Sequence, residues 1–266
     1  MGRIDLRDRP ICITGGNAGI GRATALACAA AGMPVVIGAR REDRLAEVVG
    51  LIRERGGRAT SVVMDVSIAA DGARMLETCV STYGSVYGVF ANAGYGFEQP
   101  LASTSDEDLR RIFEVNFWGS LNVIRPALPL LRKAGAGHVL LCSSALAILP
   151  VPRYGPYCAT KAAQHHVGRA LNVELRGSGV HVSTVHPVWT RTEFGEVVRT
   201  ESGGQTSSDR KPGFLVQPPE RVARAVVRCL GRPRAEVWTS LPTRLGMAAA
   251  VAFPGLADRL IGRVMG

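Results

Sequence analysis

Short apolar runs alternate with longer helical patterns along almost the whole chain. The runs lie near Ile11 to Thr14, Val35 to Ala39, Thr60 to Met64, Gly88 to Ala91, His138 to Cys142, Val180 to Val185 and Ala235 to Thr239. They are continuous rather than alternating in polarity, which is typical of strands buried on both faces, and the helical stretches supply the crossovers of a parallel sheet. The sequence therefore predicts an α/β fold with a doubly wound parallel sheet of about seven strands.

A cluster of small residues follows the first predicted strand and precedes the first helix. It reads Thr14-Gly15-Gly16-Asn17-Ala18-Gly19-Ile20-Gly21. Small residues let the backbone approach a pyrophosphate, and the amides of a helix N-terminus face it. An ordinary turn is the alternative because the chain has 31 glycines, but the position between strand and helix favours a dinucleotide site in a Rossmann-type sheet. The candidate contacts are Gly15, Asn17, Ala18, Gly19, Ile20 and Gly21.

The end of the second predicted strand carries arginines where a dinucleotide site usually has an acid. Arg40 and Arg41 follow Ala39. A carboxylate at this point would bind the hydroxyls of the adenosine ribose, whereas guanidinium groups suit a ribose 2′-phosphate. The alternative is that both arginines begin a solvated helix and are neutralised by Glu42 and Asp43. The pattern favours NADP(H) over NAD(H).

A tyrosine and a lysine four residues apart lie in a predicted helix. Tyr157 and Lys161 share one helix face, so the ammonium is expected to favour the ionised phenol and make it usable near neutral pH. Lysine occurs elsewhere only at Lys133 and Lys211, so this spacing is informative. With Ser144 upstream, the pair indicates proton transfer coupled to hydride transfer with a nicotinamide cofactor.

Composition bounds the class of protein. The 266 residues are 46% hydrophobic and 20% charged, which suffices for one domain with a full core. The formal net charge is +10, but the arginines are scattered along the chain, so we expect a basic solvated surface and no nucleic-acid partner. Six cysteines lie mostly in apolar runs without metal-ligand spacing, so we expect no metal and reduced thiols. The segment Met1 to Pro10 lacks the apolar stretch of a secretory signal, and we expect a cytoplasmic protein.

The chain after residue 190 departs from the regular pattern. Residues Thr200 to Pro219 are rich in Ser, Gly, Thr and Pro, and they predict a long loop within a mobile substrate segment at about residues 190–219. A helix is expected from Pro219 to Leu230. We therefore predict one dinucleotide-binding and catalytic domain over residues 1–240 and a helical apolar tail over residues 241–266.

The tail contains an apolar stretch from Leu245 to Ala257, interrupted by Pro254. It is too short to span a bilayer, which needs about 20 apolar residues, so no transmembrane segment is predicted. Packing within the core or between subunits is the first interpretation. Weak contact with a membrane interface is the second, because apolar residues are interleaved with arginines there. These arginines are Arg244, Arg259 and Arg263.

These residues together resemble the short-chain dehydrogenase/reductase family, in particular its single-domain members with a TGxxxGxG turn and a YxxxK helix. The resemblance covers nearly the whole length up to the tail. It also includes Asp65 after the third strand, Asn92-Ala93-Gly94 after the fourth, Asn116 followed by Gly119, Ser143-Ser144 after the fifth, and Pro187 to Thr192 after the sixth. Val188 stands where the family usually has glycine. Its branched side chain is expected to crowd the nicotinamide side of the pocket.

The resemblance implies a role for each of these positions. Tyr157 would be the general acid/base, Lys161 would hold it partly ionised and bind the nicotinamide ribose, and Ser144 would hydrogen-bond the substrate oxygen. Asn116 would hold a water that links Lys161 to solvent. The other cofactor contacts that it implies are Asp65, Val66, Asn92, Ala93, Gly94, Pro187, Thr190 and Thr192.

We expect an NADP(H)-dependent oxidoreductase that interconverts a ketone or aldehyde and the corresponding alcohol. Ser144, Tyr154, Tyr157 and Trp189 would meet the substrate, and the apolar residues around them favour a bulky or hydrophobic one. The alternatives are an epimerase or dehydratase on the same scaffold, and a non-catalytic NADP(H)-binding sensor or scaffold. The resemblance also implies a homodimer or homotetramer joined through the helices after the fourth and fifth strands.

Overall fold

Seven parallel strands form one sheet in the computed structural model, which describes residues 2–203 and 216–265 and the side chains up to residue 263. The strands are β1 (Ile11–Thr14), β2 (Val35–Ala39), β3 (Ala59–Val63), β4 (Gly88–Ala91), β5 (Gly137–Cys142), β6 (Val180–His186) and β7 (Glu236–Trp238). Their order across the sheet is β3-β2-β1-β4-β5-β6-β7. The predicted doubly wound parallel sheet is confirmed.

Helices connect the strands and cover both faces of the sheet. They are α1 (Gly19–Ala30), α2 (Glu42–Glu54), α3 (Ala69–Tyr83), α4 (Asp106–Phe113), α5 (Gly119–Ala134), α6 (Gly155–Glu174), α7 (Phe194–Glu201), α8 (Pro219–Gly231), α9 (Leu241–Ala252) and α10 (Pro254–Met265). Apolar residues of α1, α2 and α8 bury one face of the sheet. Those of α3 and α5 bury the other, so each central strand is apolar on both sides, as its continuous run predicts.

Strand β1 shows how the sequence pattern becomes a two-sided core. Ile11 and Ile13 belong to the apolar cluster on one face, whereas Cys12 between them belongs to the cluster on the other. Successive side chains of a strand point to opposite faces. An unbroken apolar run is therefore the sequence requirement for a strand covered by helices on both sides.

The predicted strand bounds differ slightly from the observed ones. Strand β3 begins at Ala59 because Ala59 pairs with Val35 of β2, and it ends at Val63 rather than Met64. Strand β7 is limited to Glu236–Trp238 because it lies at the edge of the sheet and pairs only with the end of β6. Pairing with a neighbour decides where a strand ends, and this depends on residues far along the chain.

The segment predicted as a mobile loop over residues 190–219 contains a helix. Helix α7 occupies Phe194–Glu201, and its residues Phe194 and Val198 pack into the apolar cluster that includes Tyr157. Their spacing of four places both on one helix face. The described part of the segment is therefore partly helical, while residues 204–215 lie outside the described residues and the mobility of the segment stays a prediction.

The switch point of the sheet lies between the parallel strands β1 and β4, because the chain continues from β1 to β2 on one side and from β4 to β5 on the other. Ligands of such sheets bind at the carboxyl ends of the strands beside this switch point. The backbone amide of Asn92 after β4 donates to the Thr14 Oγ1 hydroxyl at the end of β1 over 3.0 Å. The Asn92 side chain donates to the Thr14 carbonyl, also over 3.0 Å. These bonds tie the two loops together at the crevice.

The tail forms two helices with a sharp bend between them. Helices α9 and α10 meet at Phe253 and Pro254, at an angle of 117°. Proline has no backbone N–H and clashes with the preceding turn, so a continuous helix is broken there. No single helix in the described ranges is long and apolar enough to cross a membrane, although this bent pair meets the length and composition test when taken together.

Candidate active site

A cleft of about 2190 Å³ opens at the carboxyl ends of the strands. Nearly all of the predicted site residues line it, namely Gly15, Asn17, Ala18, Gly19, Ile20, Arg40, Arg41, Asp65, Val66, Asn92, Ala93, Gly94, Ser144, Tyr154, Tyr157, Lys161, Pro187, Trp189, Thr190 and Thr192. Two predicted residues are not part of its wall. They are Gly21 and Asn116.

The glycines of the turn after β1 serve two purposes. Gly15 and Gly19 adopt positive φ angles of 64° and 52°, which glycine tolerates without the steric penalty of other residues. Gly21 is different, because a Cβ added to it would lie 2.1 Å from the Gly15 carbonyl oxygen. Its lack of a side chain lets α1 start directly against the turn, and its contact with the cofactor stays a prediction.

Tyr157 lies near the N-terminus of α6 and is buried beneath Phe194. The two ring centroids are 5.5 Å apart. Burial raises the pKa of the Tyr157 phenol well above its ordinary value, and a hydrogen bond with Ser144 opposes this effect only in part. The phenol is therefore protonated at neutral pH and is able to donate its proton.

The predicted proximity of Lys161 and Tyr157 is observed, but its expected effect on the phenol is not. The Lys161 Nζ atom lies 5.6 Å from the centroid of the Tyr157 ring. Burial lowers the pKa of Lys161. It is also the largest cause of the raised pKa of Tyr157. The pKa of the phenol is thus raised in the structure rather than lowered, because burial has the largest effect on it.

Ser144 is held by contacts at both its hydroxyl and its backbone. Its Oγ accepts from the Leu146 amide over 3.1 Å, which leaves the O–H to donate into the cleft. The Ser144 carbonyl accepts from His186 Nδ1 over 3.0 Å. Since a carbonyl cannot donate, Nδ1 of the neutral imidazole carries the hydrogen, and Nε2 accepts from the Thr184 hydroxyl over 3.0 Å. His186 also stacks on Trp238 with a centroid distance of 4.4 Å.

Asn116 lies in a π-helical turn, Glu114–Trp118, beneath the cleft. Its side-chain oxygen accepts from the Tyr95 amide over 2.9 Å, and its side-chain nitrogen donates to the Tyr95 carbonyl over 2.9 Å. The nitrogen also donates to the Thr160 hydroxyl over 3.0 Å. Asn116 therefore joins the loop after β4 to α6.

Gln164 is a site residue that the sequence interpretation missed. Its side-chain oxygen accepts from Lys161 Nζ over 2.9 Å, and its side-chain nitrogen donates to the Asn116 carbonyl over 2.7 Å. The amide thus links Lys161 directly to the backbone of Asn116. The signal was present, because Tyr157, Lys161 and Gln164 follow the i, i+4, i+7 spacing of a single helix face.

The two arginines after β2 have different environments. Arg41 Nη2 forms an ion pair with Glu193 Oε2 at 2.7 Å, and the Asn17 side-chain oxygen accepts from Arg41 Nε over 2.9 Å. Arg40 faces Asp65 across the cleft mouth. Although burial opposes it, hydrogen bonds from Ser67 and the charge of Arg40 hold the pKa of Asp65 below its ordinary value.

The end of the cleft beside Tyr157 is apolar. Its wall belongs to a cluster of buried and half-buried side chains that comprises Tyr95, Phe97, Ile112, Phe113, Leu146, Val151, Tyr154, Tyr157, Cys158, Phe194 and Val198. Met247 of α9 and Ile261 of α10 also line the cleft. The sequence gives no local signal for this contribution of the tail, because it depends on where α9 and α10 pack. Within residues 2–203 and 216–265, no group of three or more metal-binding side chains occurs.

Comparisons with known proteins agree with this geometry. The family model described as short chain dehydrogenase matches residues 9–203. An uncharacterized oxidoreductase of Listeria monocytogenes is 30% identical over 232 residues, which cover 86% of this chain and 92% of the relative. The 3-oxoacyl-[acyl-carrier-protein] reductase FabG of Aggregatibacter actinomycetemcomitans is 31% identical over 236 residues, with 85% and 93% covered.

Solved structures show the same architecture. A short chain dehydrogenase/reductase from Burkholderia phymatum, crystallised in complex with NAD, superposes with a TM-score of 0.87 and 25% identity, and 95% of this chain and 96% of that one are covered. A 3-ketoacyl-(acyl-carrier-protein) reductase from Brucella melitensis, complexed with NADH, gives a TM-score of 0.78 and 27% identity, with 88% and 97% covered. Together with the match of the family model, these likenesses show that the chain is an oxidoreductase of the short-chain dehydrogenase/reductase family.

Proposed function

We propose that the protein is an NADP(H)-dependent oxidoreductase that interconverts a ketone or aldehyde and the corresponding alcohol. The observation that carries the proposal is the convergence of Ser144, Tyr157 and Lys161 on one cleft, whose other end is lined by the glycine-rich turn after β1. A sensor that binds a dinucleotide without turnover has no need of this set. An intact set therefore supports catalysis.

The residues of the site account for the proton side of the reaction. As negative charge grows on a carbonyl oxygen during reduction, the hydroxyls of Ser144 and Tyr157 donate to it, and Tyr157 transfers its proton. Burial raises the pKa of Tyr157, so the phenol carries the proton that it donates during carbonyl reduction. The ammonium of Lys161 stabilises the phenolate that remains.

The cleft fits a nicotinamide dinucleotide. Gly15 and Gly19 let the backbone after β1 turn through positive φ angles. The amides at the start of α1 would face a pyrophosphate. Asp65 and Val66 would border the adenine, Asn92 to Gly94 the ribose, and the backbone from Pro187 to Thr192 the carboxamide. The bound cofactor supplies or accepts the hydride. The relatives crystallised with NAD and NADH support a cofactor of this class.

Preference for NADP(H) rests on Arg40. This side chain is exposed and lines the cleft, whereas Ala39 removes the acid that would select a free ribose hydroxyl. Arg41 is already paired with Glu193. Arg40 is therefore the guanidinium we assign to a 2′-phosphate.

The substrate that suits this cleft is bulky or hydrophobic. Tyr154 is buried in the apolar wall, and Trp189 lies at the rim with 41% of its surface exposed. Both would contact the part of the substrate remote from the carbonyl. Hydrophobic and aromatic walls with a few convergent polar groups are typical of small-molecule sites.

The proposal also includes where the protein is located, how its subunits assemble and which surface its tail contacts. We assign the protein to the cytoplasm, supported by six buried cysteines without disulfides. A homodimer or homotetramer joined through α4, α5 and α6 is supported by exposed apolar residues there, such as Trp118 between α4 and α5 and Val173 on α6. Weak contact of the tail with an anionic lipid surface is supported by exposed Leu245 and Phe253 beside arginines.

Substitution of Tyr157 by phenylalanine tests the proposed reaction. Y157F removes the hydroxyl but keeps the ring against Phe194, so we expect a loss of turnover of about 100-fold or more, the range for general acid catalysis. NADPH binding should change little. The measurement is NADPH oxidation with a panel of apolar ketones and aldehydes, with NADPH fluorescence titration as the binding control. Unchanged turnover in Y157F would refute the mechanism.

A further inference from the structure

Three polar side chains and the backbone carbonyl of Asn116 form a continuous hydrogen-bonded chain beneath the cleft. Lys161, Gln164, Asn116 and Ser120 are all buried. Lys161 Nζ donates to the Cys142 carbonyl over 2.8 Å and to Gln164 Oε1 over 2.9 Å. Gln164 Nε2 donates to the Asn116 carbonyl over 2.7 Å and to Ser120 Oγ over 2.6 Å.

The chemistry of the neighbours determines the orientation of the Gln164 amide. An ammonium group only donates, so the side-chain oxygen must face Lys161. A backbone carbonyl only accepts, so the side-chain nitrogen must face Asn116. Ser120 Oγ donates to the same Asn116 carbonyl over 2.8 Å and so accepts from Gln164. The amide oxygen and both amide hydrogens therefore have defined partners.

These hydrogen bonds fix the position of the Lys161 ammonium. Two of its three N–H donors are engaged by Cys142 and Gln164, and the third is left for a ligand in the cleft. Because charge-assisted hydrogen bonds are the strong ones in a dry site, the bond to Gln164 decides where the ammonium lies relative to Tyr157. An ammonium without this bond would lose both an acceptor and its fixed position.

We propose that Gln164 is a positioning residue for Lys161, and that its carboxamide does the work of a bound water between Lys161 and the Asn116 carbonyl. The proposal rests on the proposed oxidoreductase function. Unlike a water, an amide has no hydroxyl through which a proton is readily passed on, so the bridge holds the ammonium without extending a proton path toward the π-helical turn. Gln164 itself touches neither the phenol nor the reacting atoms.

Two substitutions separate this role from simple packing. Gln164→Met keeps the volume but removes the amide, whereas Gln164→Ala leaves a polar space next to Asn116, Ser120 and Lys161. A water in that space would have three hydrogen-bonding partners, as buried waters typically do. If Gln164 only fills space, methionine should be tolerated better than alanine in both stability and activity, because volume-conserving changes cost less than cavities.

The positioning role predicts the opposite order of activity. We expect Gln164→Met to lower kcat about tenfold, as for the loss of one charge-assisted hydrogen bond, while its melting temperature stays above that of Gln164→Ala. We expect Gln164→Ala to retain more activity than Gln164→Met, since water restores the bridge. Substitution of the exposed His166 on the same helix by alanine is the control and should leave kcat unchanged.

A crystal structure of Gln164→Ala provides a readout that needs no turnover. It should contain an ordered water within hydrogen-bonding distance of Lys161 Nζ and the Asn116 carbonyl. If the wild-type protein had no reductase activity, the proposed function would fail while this structure still tested the bridge. Wild-type kcat in Gln164→Met, or a dry cavity in Gln164→Ala with Lys161 unmoved, would overturn the proposal.

Discussion

At the residue scale, neighbouring side chains of the same type have different functions because their surroundings differ. Arg40 and Arg41 are adjacent in sequence, yet Arg41 is paired with Glu193 while Arg40 stands at the cleft opposite Asp65. The sequence predicted that both would bind a phosphate. The sequence did not indicate that Glu193, which is 152 residues away, pairs with Arg41.

Substitution of Arg40 by alanine tests the assignment of cofactor preference. We expect R40A to weaken NADPH binding by roughly 10 to 100-fold, the range for one hydrogen-bonded charge pair, with little change for NADH. Fluorescence titration of both cofactors gives the ratio. Arg44→Ala is the matched control, because Arg44 lies four residues further along the chain, on α2, but pairs with Glu47. Equal weakening of NADPH and NADH in R40A would contradict the assignment.

At the element scale, strands β5 and β6 each bury a histidine. Burial lowers the pKa of His186 on β6 to about 4 and that of His138 on β5 to about 3. Strand β6 was predictable from its apolar run, but the stack of His186 on Trp238 was not. It depends on β7 pairing beside β6, a contact between segments distant in sequence.

We expect the folded protein to lose stability in acid because of these two histidines. Both are neutral in the folded protein, whereas in the unfolded chain they bind protons once the pH falls below about 6.5. The stabilisation that comes from this difference in proton binding between the folded and unfolded states is fully present above that pH, and it is lost as the pH falls toward 4. At pH 5 the loss should be about 2 kcal/mol for each histidine.

Thermal unfolding between pH 4.5 and 7.5 measures this effect. The variant His186→Asn keeps a donor toward the Ser144 carbonyl but does not titrate, so its melting temperature should depend less steeply on pH than that of the wild type. His166→Asn, at an exposed position of α6, should keep the wild-type slope. A wild-type slope in His186→Asn would show that His186 does not bind a proton on unfolding.

At the scale of the whole molecule, the tail combines exposed apolar and basic side chains. Helix α9 has no buried residue, and the large apolar side chains of the tail, Leu241, Leu245, Val251, Phe253, Leu256 and Leu260, are 51 to 65% exposed. A second copy of the chain would bring the same net charge of +10 to this surface, whereas anionic lipid has the complementary charge. The tail also lines the cleft through Met247 and Ile261.

Co-sedimentation with vesicles checks this contact. We expect the full chain to bind vesicles of anionic phospholipid at low salt, and to bind neutral vesicles less. Replacing Arg259 and Arg263 by glutamine should weaken binding roughly 30-fold, at about 1 kcal/mol for each arginine. The control replaces Arg55 and Arg176, which are exposed elsewhere, and has the same net charge. Absence of any co-sedimentation would exclude the contact.

The sequence by itself determined the features that are local along the chain. The alternation of apolar runs and helices, the glycine-rich turn and the spacing of Tyr157 and Lys161 each depend on a few consecutive residues, and they led to the fold and the family. Only the tertiary structure decided the shifted pKa of Tyr157, the bridge from Gln164 to Asn116, the pairing of Arg41 and the place of the tail at the cleft. Burial and hydrogen bonds of this kind arise between segments tens of residues apart, and a linear pattern does not record which segments will meet.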